Sequence, residues 1–472
     1  MIGTLDAPPC SMALLDVRAL GAVLACGLTA ACATGTAAMR SETSQDNGGH
    51  KSYILPVVEI AALDAAVNVG GRLLIDPAGY EVTPGSIRRN LGSSWVVDDD
   101  PFEINQFGHP YQGAMYHGIA RSNGLSYWPS AATTFAASAL WEIAGETTPP
   151  SLNDQIASGI AGSFLGESLF RISRLLLERA DHGPGVWRTL GAVLVSPPTG
   201  LNHLMVGNPA GPVAADAVPF SDIRVQFGAT AIATGGSRSA PSLSSSQPQL
   251  ELSMDYGYPG NAGYRHTRPF DYFRIESSVS SEGLEQLSTH GLLAGFDYKT
   301  QRLSGISGLY GSYDYFAPDD FHFSSTALSF GTTLQVSISE SLVVQSTGLL
   351  GGGYVATHSA DRTDERDYHY GIAPQALANV RLITGRRAAL DVTAREYFVS
   401  ALGGFHTHRR DLLSLGDASF AIRLYRKHAL GLTYQLARRR SDYLALPDQT
   451  RARSRVGVFY TFLGSGGFGA VR

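Results

Sequence analysis

The chain has 472 residues with 36 Lys+Arg against 41 Asp+Glu, a formal charge of −5 that is small for this size and excludes a polycation built for nucleic acid. Only 16% of residues are charged while Gly reaches 53 and aromatics 10%, a poor match to a disordered chain or an ordinary helical cytosolic enzyme. Cys10, Cys26 and Cys32 are the three cysteines, so neither a disulfide framework nor a thiolate metal site is available after residue 32.

Residues 1–32 read as an export signal. Arg18 precedes an apolar run, 19–31, that is too short for a spanning helix, and Met12 offers an alternative start. Leu28-Thr29-Ala30-Ala31-Cys32 resembles a lipobox, in which Cys32 would be acylated; simple cleavage after small residues is the alternative. Residues 33–52 are polar and predict a linker.

Residues 53–219 predict a helical module. Apolar residues recur at helical spacing over 135–143 and 155–178, and neither run is long and apolar enough to span a bilayer. Pro149-Pro150 separates the two, Ser151, Asn153 and Asp154 supply N-cap chemistry for the second, and Pro197-Pro198 predicts the close of the region.

Over 220–464 the period changes to two. Ile223, Val225 and Phe227 alternate with Arg224 and Gln226; far downstream Val456, Val458 and Tyr460 alternate with Gly457 and Phe459. Twelve such segments begin near residues 221, 249, 270, 286, 303, 324, 342, 368, 388, 411, 428 and 452, each close to the ~9–11 residues of a tilted bilayer-crossing strand. Tight turns at Lys299-Thr300, Ser339-Glu340, Gly385-Arg386-Arg387 and Arg426-Lys427-His428 alternate with longer polar links. Short turns on one rim and long loops on the other predict an α+β chain with a C-terminal antiparallel transmembrane β-barrel of about twelve strands. A soluble β-sandwich is the competing architecture. An even strand count puts both barrel ends on the short-turn, periplasmic rim, with the helical module in or under the lumen. Residues 465–472 form a Gly-rich tail rather than a terminal aromatic, and the link over 259–269 is longer than its rim predicts.

The helical region carries Asp100-Pro101-Phe102-Glu103-Ile104-Asn105-Gln106-Phe107-Gly108-His109-Pro110-Tyr111, then Tyr116-His117 and Ala120-Arg121-Ser122-Asn123-Gly124. Trp141-Glu142-Ile143-Ala144-Gly145-Glu146, Pro150-Ser151-Leu152-Asn153-Asp154, Gly162-Ser163-Phe164-Leu165-Gly166-Glu167 and Pro197-Pro198-Thr199-Gly200-Leu201-Asn202-His203 follow. At these stretches, over roughly 95–210, the chain resembles the bacterial envelope family known as domain of unknown function 3943. The resemblance implies an envelope protein; it transfers no reaction and no catalytic residue.

The candidate site residues are His109, His117, Arg121, Glu142, Glu146, Asp154 and Glu167. Glu142 and Glu146 are four apart, which puts them on one helical face, and Glu167 lies among apolar residues where a carboxylate requires a partner such as His109, His117 or Arg121. Such a cluster suits either general acid–base chemistry or a buried polar network that locks helices together. His109 and His117 with Glu142 or Asp154 match no metal-binding spacing, and neither a Gly-x-Ser-x-Gly elbow nor a phosphate-cradling loop is present, so no metal and no cofactor is expected. The expected setting is the outer membrane of a Gram-negative bacterium, with outer-membrane lipids and the insertion machinery as partners, no nucleic acid, and an unidentified small or lipidic ligand. Three functions fit: a braced or plugged barrel serving envelope organisation or solute passage, an enzyme modifying envelope lipid or glycan, and a non-catalytic assembly factor.

Overall fold

The computed structural model describes residues 51–98, 100–178, 184–206, 219–234, 242–318, 322–358, 368–401, 408–443 and 448–471. The export signal, Cys32 and nearly all of the linker lie outside the described residues.

Helices come first. α1 (Ile54–Leu74) is long and apolar enough to cross a membrane, and of its residues only Pro56, Ile60 and Gly71 are buried. α2 (Pro84–Gly92) begins on a capping box in which the Thr83 and Ser86 hydroxyls each accept the other residue's backbone N–H. A π-helical turn, Ile104–Gly108, runs directly into α3 (His109–Ser122), and α4 (Tyr127–Ala144) follows. α5 (Leu152–Ile156) starts at the Ser151 N-cap and continues through a second π-helical turn, Ala157–Ala161, into α6 (Gly162–Glu178). α7 (Val186–Val195) and α8 (Pro197–Val206) complete the set. Pro197-Pro198 therefore opens a helix rather than closing the region, since a proline at the first turn lacks only an N–H that would have no partner there anyway.

α3 packs closely against α6 and the π-helical turn that precedes it. A Cβ on Gly113 would lie 1.9 Å from the Ser158 carbonyl oxygen, and one on Gly166 would lie 2.7 Å from His117 Cβ. Glycine is required at both positions.

Twelve antiparallel strands then close on themselves: β1 (Ser221–Thr234), β2 (Ser242–Tyr256), β3 (Phe273–Ser280), β4 (Gly283–Lys299), β5 (Leu303–Phe316), β6 (Phe323–Ser337), β7 (Leu342–His358), β8 (Tyr368–Thr384), β9 (Ala388–Ala401), β10 (His408–Tyr425), β11 (His428–Tyr443) and β12 (Gln449–Leu463). β1 pairs with β12 in the register Phe227↔Tyr460, so neither strand is left as an edge. Tight connections at 300–302, 338–341, 385–387 and 426–427 share a rim with the start of β1 and the end of β12. β3 is short, and β4 from Leu292 onward runs past it. The long link 257–272 takes that place: Phe270 N–H donates to Leu292 O (2.6 Å), Leu292 N–H donates to Tyr272 O (2.9 Å), and His266 Nδ1 meets Asp297 Oδ1 at 2.5 Å. The excess length covers an edge.

Burial along the strands is inverted relative to a soluble barrel. On β9, Leu390, Val392 and Phe398 are exposed while Asp391, Thr393 and Arg395 are buried, and β11 exposes Leu430, Leu432, Tyr434 and Leu436. Buried arginines fill the interior, and four of them share one network. Arg381 donates to Asp391 (2.6 Å) and Asp255 (3.0 Å), Arg274 to Asp255 (3.1 Å) and Glu276 (2.6 Å), Arg395 to Glu276 (2.7 Å) and Asp417 (3.3 Å), and Arg224 lies 3.5 Å from Asp391. A space of about 90 Å³ remains beside Arg224 and Arg274, and another of about 70 Å³ beside Glu285 and Arg455, room for a few waters.

Two placements differ from expectation. The helical module lies neither in nor beneath the lumen. Ser168 on α6 bonds Thr289 (2.8 Å), Tyr313 OH donates to Gln106 O (2.6 Å), and Phe164 packs at Gly311. Thr289, Tyr313 and Gly311 belong by register to the outward face that also carries exposed Leu328, so the helices rest on the outer wall. The residues after β12 enter the lumen instead. Gln335 and Gln345 donate to Val471 O and Gly469 O, both at 2.7 Å, and Phe468 is buried with Val343, Ile383, Ala389 and Leu463. Phe468→Ala should destabilise the barrel by about 3–5 kcal/mol, seen as a lower temperature for loss of the compact, fast-migrating form on gels; an unchanged temperature would mean that Phe468 does not fill the lumen.

Candidate functional site

The seven candidate residues do not form one cluster. The structure sorts them into two polar centres and one outlier.

The first centre is built on α3 and α6. Glu167, with none of its surface exposed, accepts from His117 Nε2 (3.0 Å) and Arg121 Nε (2.7 Å) on one oxygen, and from Arg171 Nε (2.8 Å) and Arg121 Nη2 (3.2 Å) on the other. Arg171 continues to Asp271 Oδ1 (3.1 Å) and Pro269 O (2.7 Å), both in the link that covers β4. Burial alone would raise the Glu167 carboxyl, but the two guanidiniums outweigh it and hold the group well below the ordinary carboxylate range. Burial lowers the His117 imidazole and favours its neutral form, and a carboxylate oxygen facing Nε2 can only accept, which places the ring hydrogen there. Glu167 and Asp271 thus meet Arg121 and Arg171, with the more exposed Arg268 a further 3.8 Å from Asp271, so neither carboxylate is left without a cation. This arrangement is a clamp joining α3, α6 and the barrel.

The second centre brings together His109 at the start of α3, Glu142 near the end of α4 and Asp154 on α5. All three are buried, and one donor atom from each falls within 4.8 Å of the others. His109 Nε2 lies 3.6 Å from Asp154 Oδ2, beyond hydrogen-bond length, while its Nδ1 meets Ser158 Oγ at 3.3 Å. Glu142 Oε2 accepts the Ser151 N–H (2.9 Å), and Asn153 Nδ2 donates to Asp154 Oδ1 (3.0 Å) and to Asp98 Oδ1 (2.7 Å). Burial first, then the negative charge of neighbouring carboxylates, pushes both Glu142 and Asp154 well above their ordinary values. Among the described residues no lysine or arginine forms an ion pair with Glu142, Asp154 or Asp98.

Glu146 belongs to neither centre. α4 ends at Ala144 with Gly145 as its C-cap, so the spacing of four no longer places Glu146 on the face of Glu142. It accepts instead from Trp141 Nε1 (2.8 Å) and Thr148 Oγ1 (3.2 Å). Arg171, Ser158 and Asp98 were missed in the sequence, and Asn153 was read there only as an N-cap residue. Arg171 had a signal, standing four residues after Glu167 on the same helix.

Glu167→Gln would strand two buried guanidiniums and should cost about 3–5 kcal/mol, whereas Glu146→Gln should stay within about 0.5 kcal/mol; denaturant midpoints in detergent distinguish these outcomes. Because the folded-state value of Glu167 is depressed, its contribution is complete above the ordinary glutamate value of 4.5 and fades as the pH falls below it. The stability gap between wild type and Glu167→Gln should therefore narrow in acid, and a gap that widened would contradict the ion-paired assignment.

No curated protein matches the chain. Among solved structures it is similar to the NanC porin (10% identity, 49% of this chain and 98% of that one, TM-score 0.24). It is also similar to the outer membrane channel DcaP of Acinetobacter baumannii (8% identity, 52% and 97%, TM-score 0.24) and to an anion-selective porin from Comamonas acidovorans (9% identity, 52% and 99%, TM-score 0.24). At that degree of likeness none of them bears on what this chain does. Residues 94–198, which hold both polar centres apart from Asp271, match the family described as "Domain of unknown function (DUF3943)", the family that the sequence resembles.

Proposed function

We propose that the protein is an outer-membrane β-barrel acting as a membrane-embedded platform for the helical module on its outer wall, in the service of envelope organisation. One observation carries this reading. The closed sheet turns Leu, Val, Phe and Tyr outward and Arg, Asp and Glu inward, an arrangement that is costly in water and favourable in hydrocarbon. Outer-membrane lipids are the solvent such a wall requires, and a barrel of this kind needs an insertion machinery to reach the bilayer.

The arginine–carboxylate network and the inserted tail argue against an open aqueous passage. A second reading, an enzyme acting on envelope lipid or glycan, is supported by the placement of a buried, charge-unbalanced His109, Glu142 and Asp154 group in the module on the lipid-facing side of the wall.

In planar bilayers the purified protein should show no steady conductance, and removal of residues 466–472 should raise it measurably. In cells the protein should fractionate with the outer membrane and migrate faster on gels unheated than heated. Stable ion flow through the intact chain would overturn the platform reading, and recovery in the soluble fraction without detergent would overturn the membrane assignment.

A further inference from the structure

We propose that His109, Glu142 and Asp154 bind one divalent transition-metal cation, through His109 Nε2, Glu142 Oε1 and Asp154 Oδ2. The proposal goes beyond the platform reading and does not depend on it, because it rests on the interior of the helical module alone.

Four observations converge. The first is spacing. Two ligand atoms about 2.1 Å from a tetrahedral ion lie about 3.4 Å apart, and His109 Nε2 and Asp154 Oδ2 are 3.6 Å apart, too long for a hydrogen bond and suited to a shared ion. The second is an unpartnered atom. Glu142 is 3% exposed, its Oε2 is held by the Ser151 amide, and its Oε1 is buried with no hydrogen-bond partner. An orphaned carboxylate oxygen is costly unless something positive meets it.

The third is charge. Glu142, Asp154 and Asp98 are three carboxylates with a single imidazole, whereas the Glu167 centre in the same module is neutralised by two arginines. The fourth is orientation. Each ligand is fixed through an atom it does not use: His109 Nδ1 by Ser158, Glu142 Oε2 by Ser151, Asp154 Oδ1 by Asn153. Outer partners of this kind set the tautomer and the direction of metal ligands. One nitrogen and two carboxylate oxygens, with no sulfur, suit zinc, manganese or ferrous iron, and three protein ligands leave a coordination position for water or a substrate oxygen. No short-range motif announces the site because its ligands come from three helices.

The test uses the full chain in detergent. Protein purified without chelator should carry about one equivalent of zinc, manganese or iron by elemental analysis. After stripping with chelator, adding back zinc or manganese alone should raise the unfolding temperature of the wild type. His109→Ala and the isosteric Glu142→Gln and Asp154→Asn should lower metal affinity roughly tenfold or more, while Glu146→Gln, which removes a neighbouring charge but no ligand, should lower it far less. Heat-modifiable migration reports whether each variant's barrel has folded, and cobalt absorption of the wild type reports the nitrogen ligand without any variant. A wild type that holds no metal and gains no stability from zinc or manganese would overturn the proposal, with a shared carboxyl proton as the remaining account of the cluster. Metal retained equally by all three ligand variants would overturn it as well.

Discussion

A sheet that presents apolar side chains on its convex face and closes on itself has no free backbone edge, and most charged residues near the middle of its strands are then forced inward. In this barrel the consequence is a lumen holding Arg224, Arg274, Arg381 and Arg395 with Asp255, Glu276, Asp391 and Asp417. Buried ion pairs add little net stability relative to apolar packing of the same volume. The alternation that clads the outer wall is what puts charge inside, and near-complete pairing is how the interior tolerates it. A twelve-strand interior is wide, and long guanidinium side chains together with the returning tail occupy the space that small residues would leave empty.

The same wall explains the position of the helices. Leu252, Met254 and Ile275 point to the outward face yet are buried, because α6 and its neighbours cover that sector. Helix and strand here share one apolar cluster, and the Glu167 clamp ties the two together through Arg171 and Asp271. Each carboxylate of the clamp has a cation of the chain beside it, so it joins the bodies without requiring a ligand.

Much of the barrel was legible because side-chain period and turn length are local. Lys299-Thr300 and Gly385-Arg386-Arg387 announce tight turns whatever surrounds them, and an even count fixes both ends on one rim. The side on which the helices sit was not legible. Leu252 reads identically whether lipid or a helix covers it. Phe468 was hidden for a related reason, since a glycine-rich segment has no periodicity to betray its partner. For the site, the sequence offered the right residue types without their grouping. His117 and Arg121 share a turn with each other and meet Glu167 only because Gly113 and Gly166 let two helices touch, and Glu146 leaves the face of Glu142 because Gly145 ends the helix between them.

That close contact also bears on the difference between the two polar centres. Where Arg171 follows Glu167 by one turn, a long cation reaches across and neutralises the carboxylate. Around Asp154 the backbone leaves no comparable room. A Cβ on Gly113 would strike the Ser158 carbonyl, one on Gly159 would lie 2.6 Å from the Phe135 ring, and the π-helical turn Ala157–Ala161 carries only small or apolar side chains. A lysine or arginine from these positions could not be accommodated without separating the helices. The negative charge of the buried Glu142 and Asp154 is left to something far smaller than an amino-acid side chain, either a proton or an ion held by atoms already oriented to receive it.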